Sequence, residues 1–354
     1  MGEAVGTAEL RESFREVLDD IVAAGCVRRH VDEGASRCAP LWTKAAELGW
    51  FALLTPESHG GLGLPRAAAA ALYEELGRAA APLPIAAALA ATEIVSAFGS
   101  QAQQAQWLSR LAGGDAAAFS ASGPALDDAS LRLANAALFG ETGDLLDGVE
   151  AALLLAPVRD GENLRWALID AADLSMQRIA LVDRTRSLAR ARLDGAPASV
   201  FSADAHAIAR KLRIHMSIAL ACDSIGGARE VLAFTIAYLK TREQFGKPIG
   251  SFQALKHRCA EHLVAIEAAS ALLGEAVSRW ERDDIEAELY ALLIKAQACD
   301  VYAAVAEDAV QLHGGIGFTW EHMCHVYLKR AKLNQVLFGA SAAYHDAAAR
   351  LLAA

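Results

Sequence analysis

Apolar residues recur at helical spacing from residue 7 to about 113. In "TAELRESFREVLDDIVAAG", Leu10, Phe14, Val17, Leu18 and Ile21 fall on one face behind a starting Thr7, which predicts an amphipathic helix. "APLWTKAAELGWFALL" predicts a second helix. The stretch 55–65, "TPESHGGLGLP", holds two prolines and three glycines and predicts a loop. "RAAAAALYEELGRAAA", "PIAAALAATEIVSAFG" and "QAQQAQWLSRLAGG" then predict further helices with short breaks. Between about 115 and 203 the period changes. Short apolar runs such as "AALLLAPV" and "RWALID" alternate with turn signals, "RDGEN", "DAAD" and "LDGAPA", as in a small β-domain. Helices resume near Ala203 with one very long apolar stretch, followed by segments over roughly 253–281, 284–313 and 321–353. The predicted order is helices (1–114), a β-domain (115–203) and a bundle of long antiparallel helices (204–354), with no internal repeat.

Composition supports helices packed through small side chains. The hydrophobic share of 54% is inflated by alanine, the best helix former, while aromatics are only 6%. A net charge of -10 argues against a nucleic-acid partner, since binding phosphates needs a basic face. No apolar run in the sequence approaches the ~20 residues of a membrane span. The opening "MGEAVGTAELRESFREVL" lacks the pattern of a secretory signal, and Gly6 replaces the Ser or Thr of a myristoylation site. The six scattered cysteines form no CxxC pair, so reduced, buried thiols and a cytoplasmic location are expected.

Two stretches carry candidate chemistry. "KTREQFGKPIGSFQ", 240–253, breaks the helical pattern with Gly246 and Pro248. Its plain reading is a helix–helix turn with Phe245 and Phe252 as core staples. Its functional reading gives Arg242 a phosphate, Gln244 a polar contact and Phe245 a ring system. "QLHGGIGFTWEH", 311–322, has three glycines that let backbone approach a ligand, but it lacks the strand–turn–helix context of a dinucleotide fingerprint. "HMCH", 322–325, has metal-like residue types without a partner pair, so no metal site is expected. His257 and His262 lie five apart on a helix and read as solvated or packing residues. "HGGLGLP" lacks the Lys-Ser/Thr of a phosphate loop and reads as a turn.

Taken together, these segments resemble the acyl-CoA dehydrogenase family over nearly the whole chain. "LGWFALLTPESHGGLGLP" and "QAQQAQWLSRLAGGD" resemble its N-terminal part; "AYLKTREQFGKPIGSFQALKHRCAEH" and "EDAVQLHGGIGFTWEHMCHVYLKRAK" resemble its two C-terminal signatures. The resemblance implies a mainly α fold with an N-terminal helical domain, a middle β-barrel and a C-terminal four-helix bundle. It implies FAD bound at a subunit interface. Arg242, Gln244 and Phe245 would then touch a neighbouring subunit's cofactor, and Gln311, Gly314 and Gly315 its adenosine end.

The departures from the family pattern are as informative. Members remove the substrate's α-proton with a glutamate, and a positioned base is worth ~10²–10⁴-fold in rate. The two usual positions for it fall here on Met216 and Phe338, neither of which accepts a proton. Ser217 stands where many members carry a substrate-contacting Arg. The flavin-contacting segment of the middle domain corresponds to "SASGPALDDASL", 120–131, without its glutamate and Gly-Ser pair, and no Trp-x-Thr motif is evident around Trp166. The half of the site that this chain would build for its own flavin looks degraded, while the half offered to a neighbour looks intact. This resembles the subunit lacking the glutamate in heterotetrameric bacterial dehydrogenases of steroid side-chain acyl-CoA. Such a chain implies a homologous partner carrying the base, an acyl-CoA substrate, and an electron-transfer flavoprotein or similar acceptor. Two other readings stay open: a self-sufficient homo-oligomer with an unusual base, Glu321 being the nearest acidic residue in a signature, and a flavin-free scaffold subunit.

Overall fold

The computed structural model describes residues 6–35, 37–119, 123–126, 129–172 and 174–353. Six helices come first: α1 (Thr7–Ala23), α2 (Cys26–Glu33), α3 (Ala39–Glu47), α4 (Arg66–Arg78), α5 (Ile85–Phe98) and α6 (Gln101–Ala112). The second predicted helix is shorter than expected. Gly49, at φ +73°, ends α3, and Trp50–Ala52 continue as a 3-10 turn. The 55–65 loop folds back on itself: a Cβ on Gly61 would lie 2.0 Å from the Thr55 carbonyl oxygen.

The middle region supplies β1 (Ala116–Phe119), β2 (Leu131–Ala134), β3 (Ala137–Glu141), β4 (Leu145–Leu146), β5 (Ala151–Asp160), β6 (Asn163–Asp170), β7 (Met176–Ile179), β8 (Leu188–Pro197) and β9 (Ser199–Val200). Among the described residues they pair in the order β4-β8-β3-β2-β5-β6-β9, with β1 parallel to β5 and β7 antiparallel to β8. The β5–β6 hairpin turns at Gly161, φ +61°, and runs in register from Asp160↔Asn163 to Leu153↔Asp170. Leu153 to Val158 are buried at consecutive positions, so β5 is covered on both faces, which explains its unbroken apolar run.

The C-terminal bundle is built on α7 (Ala205–Thr241), α8 (Gln253–Glu281), α9 (Ala287–His313), α10 (Cys324–Val336) and α11 (Ser341–Ala353). Asp204 caps α7 by accepting from the Ala207 N–H at 2.9 Å. The segment expected as one helix over 321–353 is two, because Phe338 (φ +56°) and Gly339 (φ +111°) turn the chain between them. The stretch Ala287–Phe318 does satisfy length and hydropathy for a membrane span, contrary to the sequence reading; 61% of its apolar window is buried inside the protein, where α9 packs against α7. All six cysteines are buried and none is bonded to another.

Helices α4 and α7 cross at glycines. A Cβ on Gly226 would lie 1.9 Å from the Glu74 carbonyl oxygen, and one on Gly77 would lie 2.0 Å from that of Asp223. Both obstacles are backbone, so neither helix can yield locally. Gly226→Ala is therefore expected to lower stability by ~1–3 kcal/mol through forced separation of the helices. Urea unfolding would read this as an earlier midpoint, and an unchanged midpoint would contradict the crossing.

Candidate functional site

The turn after α7 is a tight hairpin rather than a simple bend. Strands β10 (Glu243–Gln244) and β11 (Lys247–Pro248) pair antiparallel, with Phe245 (φ +54°) and Gly246 (φ +73°) as the two central residues. Positive φ at both central positions is the geometry that matches strand twist in two-residue hairpins. Glycine adopts it freely; for Phe245 it costs about 1–3 kcal/mol. The strained aromatic is not a core staple, since Phe245 is 89% exposed. Phe252 meets it edge to face at 6.1 Å and carries the Lys247 ammonium at 4.4 Å on its ring. The Arg242 N–H and carbonyl are tied to Tyr238 and Ile249 at 2.9 and 2.8 Å, which fixes its backbone and leaves the guanidinium outside. Among the described residues, Arg242 has no carboxylate partner.

The glycine-rich turn lies alongside. Helix α9 ends at His313, and Gly314 takes φ +63°, ψ -140°, a conformation left to glycine. A Cβ on Gly314 or Gly315 would meet nothing within 4 Å, so the backbone borders open space. The Tyr238 ring stacks on His313 at 4.4 Å, and its hydroxyl donates to the His313 carbonyl at 3.3 Å, joining the two turns. Arg242, Gln244, Phe245, Gln311, Gly314 and Gly315 thus line a single cavity of about 590 Å³. That volume is within the ~300–1,000 Å³ of small-molecule sites. An unpaired guanidinium, exposed amides, bare glycine backbone and an aromatic face are donors suited to the phosphates and rings of a dinucleotide.

Met216 and Phe338, expected at the positions of the base, lie elsewhere and are closed. Met216 and Phe338 are each 2% exposed, and Phe338 stacks on Phe119 at 5.4 Å with 13° between rings. Met216 borders a cavity of about 20 Å³ with Tyr73, Leu220, Arg186, Asp223 and Arg330. A water needs roughly 10–15 Å³ of such space, so the cavity admits about one water and no acyl chain. Ser217 and Trp166 are buried as well. Of "SASGPALDDASL", residues 120–122, 127 and 128 lie outside the described residues; Pro124 accepts from Arg213 Nη1 at 2.8 Å. Glu321 is exposed in the turn before α10.

Two buried networks escaped the sequence reading. His215 Nδ1 donates to Glu93 Oε2 at 2.8 Å, leaving Nε2 for the Tyr73 hydroxyl at 2.8 Å. Burial alone would raise the Glu93 carboxyl, but His215, Lys211 and Arg66 together hold it down at about 2. The second network joins Asp223 of α7 to Arg330 and Asn334 of α10, with Arg186 at 3.3 Å. A lone Asp in "IALACDSIGG" was the available signal for it. The histidines also resolve differently from each other. His262 meets Asp308 at 2.9 Å, whereas His257 is exposed. "HMCH" does not stand alone: one ligand atom each from His313, His322 and Cys324 lies within 4.8 Å of the others. His313 sits eleven residues upstream of Cys324, across the glycine turn, which is why local spacing did not bring it into the set.

Comparison with known proteins matches residues 7–115 to the acyl-CoA dehydrogenase N-terminal domain and 207–352 to the acyl-CoA dehydrogenase C-terminal domain. Acyl-CoA dehydrogenase IpdE2 of Mycobacterium tuberculosis is 34% identical over 333 residues, 91% of each chain. The chain belongs to the acyl-CoA dehydrogenase family. Acyl-CoA dehydrogenase FadE34 of the same organism is 33% identical over 85% of this chain, which spans only 40% of FadE34. A solved "Tcur3481-Tcur3483 steroid ACAD G363A variant" superposes with TM-score 0.89 at 27% identity, over 98% of this chain and 97% of that one. The helical, β-sheet, helical order expected from the sequence is therefore the family fold.

Proposed function

We propose that the chain is the subunit of an FAD-dependent acyl-CoA dehydrogenase that completes a flavin site without supplying the base. The observation that carries this is a contrast within the chain. Arg242, Gln244, Phe245, Gln311, Gly314 and Gly315 share an open cavity of about 590 Å³, while Met216 borders a cavity of only about 20 Å³ and Phe338 is buried against Phe119. When bound, the flavin would accept the substrate's β-hydrogen as hydride. Arg242 would neutralise part of the diphosphate, Gln244 would hold a polar group, and Phe245, already strained outward, would offer its ring. Gln311 with Gly314 and Gly315 would meet the adenosine end. A homologous partner subunit would carry the glutamate, and reduced flavin would pass electrons to an electron-transfer flavoprotein or similar acceptor. Residues 1–114, 115–203 and 204–354 would be the three domains of this subunit. The steroid-ACAD neighbour, described under two protein names, supports a heteromeric enzyme and a bulky steroid side-chain acyl-CoA as substrate.

The chain purified alone is expected to hold little flavin and to be inactive, and co-purification with the glutamate-bearing homologue to restore both. Stoichiometric FAD with dehydrogenase activity in the lone chain would defeat the proposal. In the complex, Arg242→Ala removes a charge-assisted contact worth about 1.5–3 kcal/mol, a roughly 10- to 100-fold weaker FAD affinity. Flavin titration by fluorescence reads this, and unchanged affinity would favour the flavin-free scaffold.

A further inference from the structure

We propose that His313, His322 and Cys324 form a binding site for a borderline-soft divalent metal ion of the zinc class, pinning together the two ends of the glycine-rich turn. His313 is the last residue of α9, Cys324 the first of α10, and His322 lies two residues before it. The turn between them carries Gly314 and Gly315, so an ion here would brace the backbone that borders the open cavity.

The side chains are set up for coordination. A carbonyl can only accept, so the 2.7 Å contact between His313 Nδ1 and the Ala309 oxygen puts the proton on Nδ1. That leaves Nε2 bare, and it is buried without a partner. Metal-bound histidines commonly show this arrangement, with the second nitrogen donating to a backbone carbonyl. Cys324 is 1% exposed, with its sulfur 3.5 Å from His313 Nδ1, the nitrogen that donates to Ala309, so a ring rotation or loss of that bond would accompany coordination. The His322 ring centre is 4.5 Å from that of His313, and its Nδ1 accepts the Cys324 N–H at 3.2 Å. Coordination through Nδ1 would give up that bond alone. Phe234 packs edge-on against both imidazoles at 5.6 Å, and Tyr238 stacks on His313. His325 is not a member: its Nε2 faces the Trp320 carbonyl at 3.4 Å.

Two nitrogens and a sulfur select zinc-like ions over magnesium or calcium, which take oxygen. Zinc distances of about 2.0–2.1 Å to nitrogen and 2.3 Å to sulfur require the ligands to draw in from 4.8 Å. His322, half-buried and in the turn, is the residue placed to move. On binding, the Sγ–H bond is replaced by a sulfur–metal bond and the proton passes to solvent. Water or an added ligand would fill the fourth position.

Cobalt(II) added to chelator-treated, folded full-length chain is the test, with zinc as competitor. A stoichiometric thiolate-to-cobalt charge-transfer band, displaced by zinc, is expected. Cys324→Ser should abolish it, His322→Ala should weaken cobalt binding at least about tenfold, and Cys38→Ser should leave it unchanged. His322 is partly exposed, so that variant keeps the test alive if Cys324→Ser misfolds. No thiolate band in the unaltered protein, or a band that survives either ligand substitution at full strength, would overturn the site.

Discussion

Arg330→Met is expected to destabilise the protein by about 3–5 kcal/mol, the usual consequence of leaving one buried charge without its partner. Arg330 and Asp223 are 2% and 5% exposed. Nε of Arg330 contacts both Asp223 oxygens at 3.1 and 3.2 Å, and Nη2 makes a still closer bond to Oδ2. Nη1 donates to Thr185 Oγ1 at 2.8 Å and to the Ala81 carbonyl at 3.2 Å. One guanidinium therefore ties α10 to α7, to the β-region and to the link between α4 and α5. Burial disfavours the Asp223 carboxylate, yet Arg330 and Arg186 hold its pKa below the ordinary value. Without Arg330, Asp223 keeps Arg186 and Asn334 among the described residues. Converting both members, Asp223→Asn with Arg330→Met, removes the orphaned charge and is expected to recover part of the loss. Urea unfolding of the two single variants and the double one forms the cycle. Additive losses would show that the pair is not coupled as its geometry requires.

Glu93 gives the second large effect, and it depends on pH. Its folded pKa is held at about 2, below the ordinary carboxyl value of 4.5. A carboxyl lowered on folding stabilises the protein above its unfolded pKa, and that contribution disappears as pH falls from about 4.5 towards 2. At about 1.4 kcal/mol per pH unit, the amount at stake is about 3 kcal/mol. Glu93→Gln should therefore lower stability at neutral pH while the gap to the unaltered protein narrows in acid. Urea midpoints measured across that window check it. A gap independent of pH would assign the effect to packing instead. The partners explain the size: Arg66 at 2.8 Å, Lys211 at 3.2 Å and His215 at 2.8 Å converge on one buried carboxylate.

The residues facing the open cavity were legible because turn chemistry is local. Gly246 and Gly314 sit where the backbone takes positive φ, and such residues stand out in an alanine-rich chain. Phe245 shows the limit of that reading. Its sequence setting fits a core staple, but the hairpin register turns it outward. The closed positions were legible only as substitutions, Met216 and Phe338 in place of an acid. That Phe338 is stacked on Phe119 and Met216 buried depends on packing between β1, α7 and the turn before α11.

The sequence by itself determined the helix–sheet–helix order, through periods of hydrophobicity that each segment carries alone, and it placed the two signature turns by their glycines. Only the tertiary structure decided which distant charges meet. Glu93 reaches His215, and Asp223 reaches Arg330, across more than one hundred positions. Burial makes these pairs strong by stripping away water, and burial is a property of how helices pack, which no local pattern encodes.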